Sequence, residues 1–251
     1  MPHLLVSKSG DVLHVTIDRP AKRNALSRAV LDEIRLAFAV QAKDETIKAA
    51  VLTGSGDKCF AAGGDLNELE SVRDPTEAKA FSIEAKAALQ AVRDFPAPVI
   101  ARVGGDALGG GAELALACDL RAMASHARLG FLQAKLAVTT GWGGGYDLIR
   151  RVGSSTALKL LGGAEVISAE DAKALGLADS VADDADTAVD ALLAPMLKQS
   201  THVLRGFKSI ARVHDAQLRN SVDAAETQAF VKAWVHPDHW EASAKALRKK
   251  D

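Results

Sequence analysis

The spacing of apolar positions changes several times along the chain, and each change marks an element. Leu4-Leu5-Val6-Ser7-Lys8 and Val12-Leu13-His14-Val15-Thr16-Ile17 flank Ser9-Gly10-Asp11, which predicts a β-hairpin. From Ser27 the spacing becomes helical: Val30, Leu31, Ile34, Phe38 and Gln41 mark one stripe, with Ser27 as N-cap and an end near Ala42. Ile47 to Thr53 and the run starting at Val99, just past Pro96 and Pro98, are continuous enough for buried strands. Between them, Leu66–Glu70 and Pro75–Arg93 predict helices, the second with an Ala-rich face that needs a close partner. Leu120 to Ala124 predicts a short strand. Helices follow over Asp147–Arg151 with a stop at Gly153, over Ser155–Leu161, over Ala169–Leu175 ended by Gly176, and over Ala185–Gln199 kinked or ended by Pro195. From Thr201 onward only helices are expected.

Glycine clusters punctuate this pattern. Gly54 to Gly64 follows one strand and precedes a helical segment, and Gly104 to Gly111 follows another strand and precedes Ala112-Glu113-Leu114-Ala115-Leu116-Ala117, a strong helix former. Two such junctions, about 45 positions apart, can aim two backbone N–H groups at one oxygen, which is the geometry of an oxyanion hole. Taken alone, the second stretch reads equally well as a tight turn whose Glu113 complements the helix dipole. Lys22 and Arg23 lie in a polar loop that is either solvated or set beside a phosphate. A third cluster, Gly141-Trp142-Gly143-Gly144-Gly145, precedes the helix at Asp147.

Composition narrows the setting. The chain has 251 residues with 48% hydrophobic, 25% charged and only 4% aromatic residues, so its core must be built from Ala, Leu and Val. A formal net charge of −1 gives no electrostatic case for nucleic acid. No run is apolar enough to span a bilayer, and the start Met1-Pro2-His3-Leu4-Leu5 is too short and uncharged for a signal peptide. Cys59 and Cys118 show no metal or redox spacing and are expected as free thiols in the cytoplasm. His236-Pro237-Asp238-His239 lacks helical metal-ligand spacing and is expected to be a surface turn.

Several segments, in order, resemble the crotonase (enoyl-CoA hydratase/isomerase) superfamily. They are Arg19-Pro20-Ala21-Lys22-Arg23-Asn24-Ala25-Leu26, Ala61-Ala62-Gly63-Gly64-Asp65-Leu66, Leu108-Gly109-Gly110-Gly111-Ala112-Glu113-Leu114-Ala115, Cys118-Asp119-Leu120-Arg121-Ala122 and Ala169 to Asp179. The resemblance implies an α/β fold, a crotonase-like spiral of ββα units over residues 1–200, with a helical trimerisation part over 201–251. It implies an acyl-CoA enzyme with no cofactor beyond the CoA of its substrate, no nucleic-acid or membrane partner, and assembly as a homotrimer or hexamer.

By the same resemblance the N–H groups of Gly64 and Gly110 are the oxyanion donors and Glu113 is the first catalytic carboxylate. Counting from Phe131, the family's second glutamate is replaced by Lys135, which could hold a substrate carboxylate or carry a proton. Lys22, Arg23, Ala25, Ala62, Asp65, Leu66 and Trp142 are the expected substrate-binding positions. Lys208 either meets a CoA phosphate of a neighbouring subunit or is a solvated helix lysine. Thr140-Gly141-Trp142-Gly143-Gly144 resembles the S-W-G-G segment of decarboxylase-like members, including ethylmalonyl-CoA decarboxylase. Hydration, double-bond isomerisation, decarboxylation and simple acyl-CoA binding therefore all stand as readings.

Overall fold

The computed structural model describes residues 3–248, with the backbone alone at 214–218. Met1, Pro2 and the last three positions of the expected C-terminal part lie outside the described residues.

The hairpin forms as β1 (Leu4–Ser9) and β2 (Val12–Ile17), in antiparallel register with Leu4 opposite Ile17. Helix α1 (Arg28–Gln41) starts where Ser27 Oγ accepts from the N–H of Val30, and it buries Val30, Leu31, Ile34 and Phe38. After it the chain lays down strands in pairs: β3 (Ala49–Gly54) with β4 (Cys59–Ala61), β5 (Val99–Val103) with β6 (Asp106–Leu108), and β7 (Leu120–Ala124) with β8 (Arg128–Gly130). The first of each pair joins a large sheet and the second a small one. The large sheet runs β1-β2-β3-β5-β7-β10, with β10 at Ser180–Ala182. The small one runs β4-β6-β8-β9, with β9 at Val166–Ser168. A helical stretch closes each turn: α2 (Leu66–Leu69) and α3 (Pro75–Asp94), then α4 (Gly110–Ala117), then α5 (Gly144–Gly162). This is the spiral of ββα units.

Parallel pairing of β3, β5 and β7 stacks successive turns with their loops at the same end. Buried Ala78, Ala85 and Ala88 line α3, which packs between α1 and the later helix α8. Phe38 meets Phe95 edge to face at 5.4 Å, one of the few aromatic anchors in a core otherwise made of small aliphatic side chains. Helix α6 (Ala169–Ala174) leads to β10, and α7 (Ala185–Leu197) ends two residues past Pro195. The expected glycine stop at Gly153 holds: its backbone is non-helical, with φ +74°, and it divides α5 into two helical pieces across a kink.

The chain ends in α8 (Thr201–Trp234) and α9 (Pro237–Arg248). The expected surface turn before α9 holds only in part. His236 is exposed, but His239 is wholly buried, with Nδ1 2.7 Å from the carbonyl of Leu136 and its ring stacked on Trp234 at 4.4 Å. The short helix folds back onto the body, and a histidine on its inner face is covered whatever the turn before it does. Lys208 is buried on Asp119, to which it donates, so it is neither solvated nor available to a phosphate. Among the described residues no helix is long and apolar enough to cross a membrane.

Candidate active site

The two glycine junctions meet. Gly64 follows β4 and pairs with Leu26 through an isolated parallel bridge, in which Leu26 and not Gly64 donates, to the carbonyl of Gly63. Helix α4 begins at Gly110, two residues earlier than the expected run from Ala112, so the Gly110 N–H belongs to the first turn and has no intrahelical acceptor. The backbones at the two junctions touch: a Cβ built on Gly63 would lie 3.3 Å from the Gly110 nitrogen and 3.1 Å from the Leu108 carbonyl. A Cβ on Gly111 would lie 2.1 Å from the Ala61 carbonyl, so this helix start accepts no side chain there.

Trp142 covers both glycines. Its ring atom Cζ3 stands 2.2 Å from where a Gly110 Cβ would be, and its Cζ2 3.6 Å from a Gly64 Cβ. Phe81 meets the ring edge to face, with centroids 5.8 Å apart. The indole therefore lies close against both glycine junctions.

Glu113 lies one turn into α4 and is buried. Its Oε2 accepts from the N–H groups of Trp142 and Gly144, both at 2.9 Å. Its Oε1 accepts from Nε2 of Gln133 at 3.0 Å. Burial, and then the negative charge of Glu226, push its carboxyl up to about 7 against those three donors. A carboxyl poised there can give or take a proton at neutral pH.

Gln133, not Lys135, therefore stands opposite Glu113. The segment Leu132–Leu136 is a 3₁₀ helix, in which positions two apart point to different sides, and Lys135 is exposed. Lys135 keeps the place counted from Phe131, and Gln133 is the glutamine of the same F-x-Q-x-x spacing. Gln133 was missed because a glutamine facing a carboxylate leaves no charge pattern in the sequence.

The N-terminal loop is fixed by residues the sequence did not single out. Buried Asn24, at φ +54°, donates to the carbonyls of Ser55 at 3.0 Å and Cys59 at 2.7 Å, and accepts from the Arg19 N–H. Arg19 also binds Asp65, Nη2 to Oδ2 at 3.0 Å, and Lys22 lies 3.7 Å from the same oxygen. Asp65 is thus occupied by its own chain. Lys22 and Arg23 are exposed, Ala25, Ala62 and Leu66 half-buried, and the Ala62 N–H donates to Arg23. Among the described residues no cluster of three His, Cys, Asp or Glu side chains is arranged to hold a metal ion.

A profile of the enoyl-CoA hydratase/isomerase family matches residues 7–250. Crotonyl-CoA hydratase of Syntrophomonas wolfei is 32% identical, over 99% of this chain and 96% of its own length. Ethylmalonyl-CoA decarboxylase of Xenopus laevis is 30% identical, over 98% and 83%. The crystal structure of an enoyl-CoA hydratase/isomerase from Mycobacterium paratuberculosis superposes with a TM-score of 0.90 over 98% of both chains, at 23% identity, and so shares the fold.

Proposed function

Since the chain belongs to the enoyl-CoA hydratase/isomerase family and is an acyl-CoA enzyme, we propose that it forms and protonates a thioester enolate with one proton-carrying carboxyl group, Glu113, on a substrate bearing a carboxylate at its α-carbon. The observation that carries this reading is that Oε1 of Glu113 meets the neutral Gln133, while Lys135 stands where the resemblance puts the second glutamate of a hydratase, so the paired acid is lacking. In the reaction the bond from the α-carbon to the carboxylate breaks and carbon dioxide leaves. Its electron pair passes into the enolate, whose oxygen takes hydrogen bonds from the N–H groups of Gly64 and Gly110. Protonated Glu113 then gives its proton to the α-carbon and is reprotonated from water. A carboxyl at about 7 is close to half protonated at neutral pH, which suits it to this donation. The 30% identity to an ethylmalonyl-CoA decarboxylase supports the same reaction class.

In this reading Lys22 and Arg23, exposed beside the loop, meet the CoA phosphates. The backbone at Ala25 and Ala62 and the side chains of Leu66 and Trp142 line the thioester. Asp65 works by fixing Arg19 and Lys22 rather than by touching substrate. CoA arrives as part of the substrate and no other cofactor takes part. The parts divide at 1–200 and 201–251, the second joining copies into a trimer or a pair of trimers. Exposed Val203, Phe207, Ile210 and Val213 on α8 support that role. Buried, unpaired Cys59 and Cys118 agree with a cytoplasmic setting, without nucleic-acid or membrane partners.

The test is a panel of crotonyl-CoA, a 3-enoyl-CoA and ethylmalonyl-CoA with product identification. Release of carbon dioxide from ethylmalonyl-CoA, with slow hydration of crotonyl-CoA, is expected. Fast hydration with no decarboxylation overturns the reading in favour of a hydratase.

A further inference from the structure

A second buried carboxylate lies beyond the site just described. Glu226, on α8, accepts from the N–H of Gly143 at 2.7 Å and of Gly145 at 3.0 Å. Glu113, on α4, takes the N–H groups of Trp142 and Gly144. The four consecutive amides of residues 142–145 are thus shared alternately between two carboxylates that arrive from different helices. Side chains at these glycines would collide with this arrangement: a Cβ on Gly144 would lie 2.4 Å from Cγ of Glu113, and one on Gly145 2.8 Å from Oε1 of Glu226. The loop opens α5, so both negative charges sit at a helix N-terminus that favours them.

We propose that Glu226 is a positioning residue for Glu113, holding the loop whose other amides bind Glu113 and acting on Glu113 through its negative charge. This rests on the reading of Glu113 as the proton carrier. A helix cap alone would need acceptors but no particular charge; a residue that sets the proton affinity of its neighbour needs the charge. The surroundings supply a handle of the opposite sign. Lys86 of α3 lies 3.1 Å from Oε2 of Glu226 and donates to the carbonyl of Asp223 and to Thr227 Oγ1. The other charged groups close by are Asp223 and Arg219 of α8, Arg93 of α3 and Asp147 of α5, the last bound between the two arginines. Glu226 is the charged group that acts on Glu113 most directly.

The two halves of the argument call for two variants with opposite expected effects. In the full-length protein labelled with [δ-¹³C]glutamate, the Glu113 resonance is identified by its loss in Glu113→Gln and followed across pH. Glu226→Gln keeps the shape and removes the charge, and the Glu113 midpoint is expected to fall by about half a pH unit or more. Lys86→Met removes the countercharge, and the midpoint is expected to rise. The pH profile of α-proton exchange of butyryl-CoA in D₂O is expected to move the same way in each variant. Two unchanged midpoints, or two that move in the same direction, overturn the proposal. If Glu226→Gln does not fold, Lys86→Met decides alone: a rise supports the proposal, and no change or a fall overturns it. Wild-type exchange in Glu113→Gln instead removes Glu113 as proton carrier, an outcome read separately from the titrations.

Discussion

Gln133 donates from Nε2 to Oε1 of Glu113 at 3.0 Å, while its own Oε1 is buried without a partner among the described residues. A glutamine here can answer either state of Glu113. Its NH₂ meets the carboxylate, and after an amide flip its carbonyl oxygen can accept from the protonated acid. It cannot itself move a proton, so proton transfer falls to Glu113.

The first prediction follows from that pair. Gln133→Glu places a second carboxyl group opposite Glu113 and is expected to raise crotonyl-CoA hydration about tenfold or more, in line with the usual worth of a positioned acid or base. Lys135→Ala, at an exposed position, is expected to leave every rate within about twofold. Steady-state rates on crotonyl-CoA and ethylmalonyl-CoA check both. A large loss in Lys135→Ala would bring that lysine into the working site.

The contact between Gln133 and Glu113 shows where sequence reading stops. The hairpin, α1 with its Ser27 cap, and the meeting of two glycine junctions were legible, because period, cap and glycine are local signals. The place of Glu113 in the first turn of a helix former was legible for the same reason, its role only through the family resemblance. The role of Gln133 was not, because a hydrogen bond from a neutral amide to a carboxylate 20 positions away leaves no local pattern. Glu226, Lys208 and His239 were not, because a charged or polar side chain on a helix looks the same in sequence whether it meets water or a partner from a remote element. Asn24 is a similar case, a loop residue whose amide donates to two carbonyls more than thirty positions away.

Glu113 carries a cost to folding that a second prediction exposes. Its carboxyl sits at about 7 in the fold, above the usual glutamate value. Between those values the unfolded chain has already lost a proton that the native chain keeps, so stability falls as pH rises through this window and levels off above it. Glu113→Gln removes the titration. It is expected to be more stable than the wild type at pH 8, by on the order of 2 kcal/mol, and to show no advantage near pH 4. Urea unfolding at the two pH values checks this, and α-proton exchange should fall by roughly 100-fold or more in the same variant.

The indole of Trp142 sets a third expectation. An Ala at position 110 would bring its Cβ to 2.2 Å from Trp142 Cζ3, on a buried ring already packed edge to face on Phe81. Gly110→Ala is expected to destabilise by about 1–3 kcal/mol and, by shifting the N–H group, to lower kcat by roughly 100-fold. Adding Trp142→Leu should return much of the stability. Denaturant midpoints of the single and double variants separate the steric effect from the catalytic one; equal midpoints for Gly110→Ala and the wild type would show that the ring gives way.

The last prediction concerns the anchor of the loop that holds Glu113. Asp147, one turn into α5, is buried between two guanidinium groups: Arg93 Nη2 donates to its Oδ2 at 2.7 Å and Arg219 Nη2 to its Oδ1 at 2.6 Å. Burial disfavours the charge, but Arg93 and Arg219 outweigh it and hold the carboxyl below the usual aspartate value. A group depressed in the fold stabilises above its unfolded value and loses that contribution as pH falls. Asp147→Asn leaves two buried cations facing a neutral amide, and should cost about 3–5 kcal/mol at pH 7. The gap to the wild type should narrow below about pH 4, as the aspartate of the unfolded chain takes up a proton that the native carboxylate does not. Because the amides of Trp142 and Gly144 are carried on the same helix start, the variant should also loosen their hold on Glu113 and lower the rate of α-proton exchange. Urea titrations at pH 7 and pH 3.5 decide it: a gap that stays constant between them would mean that the arginines hold Asp147 by shape and not by charge.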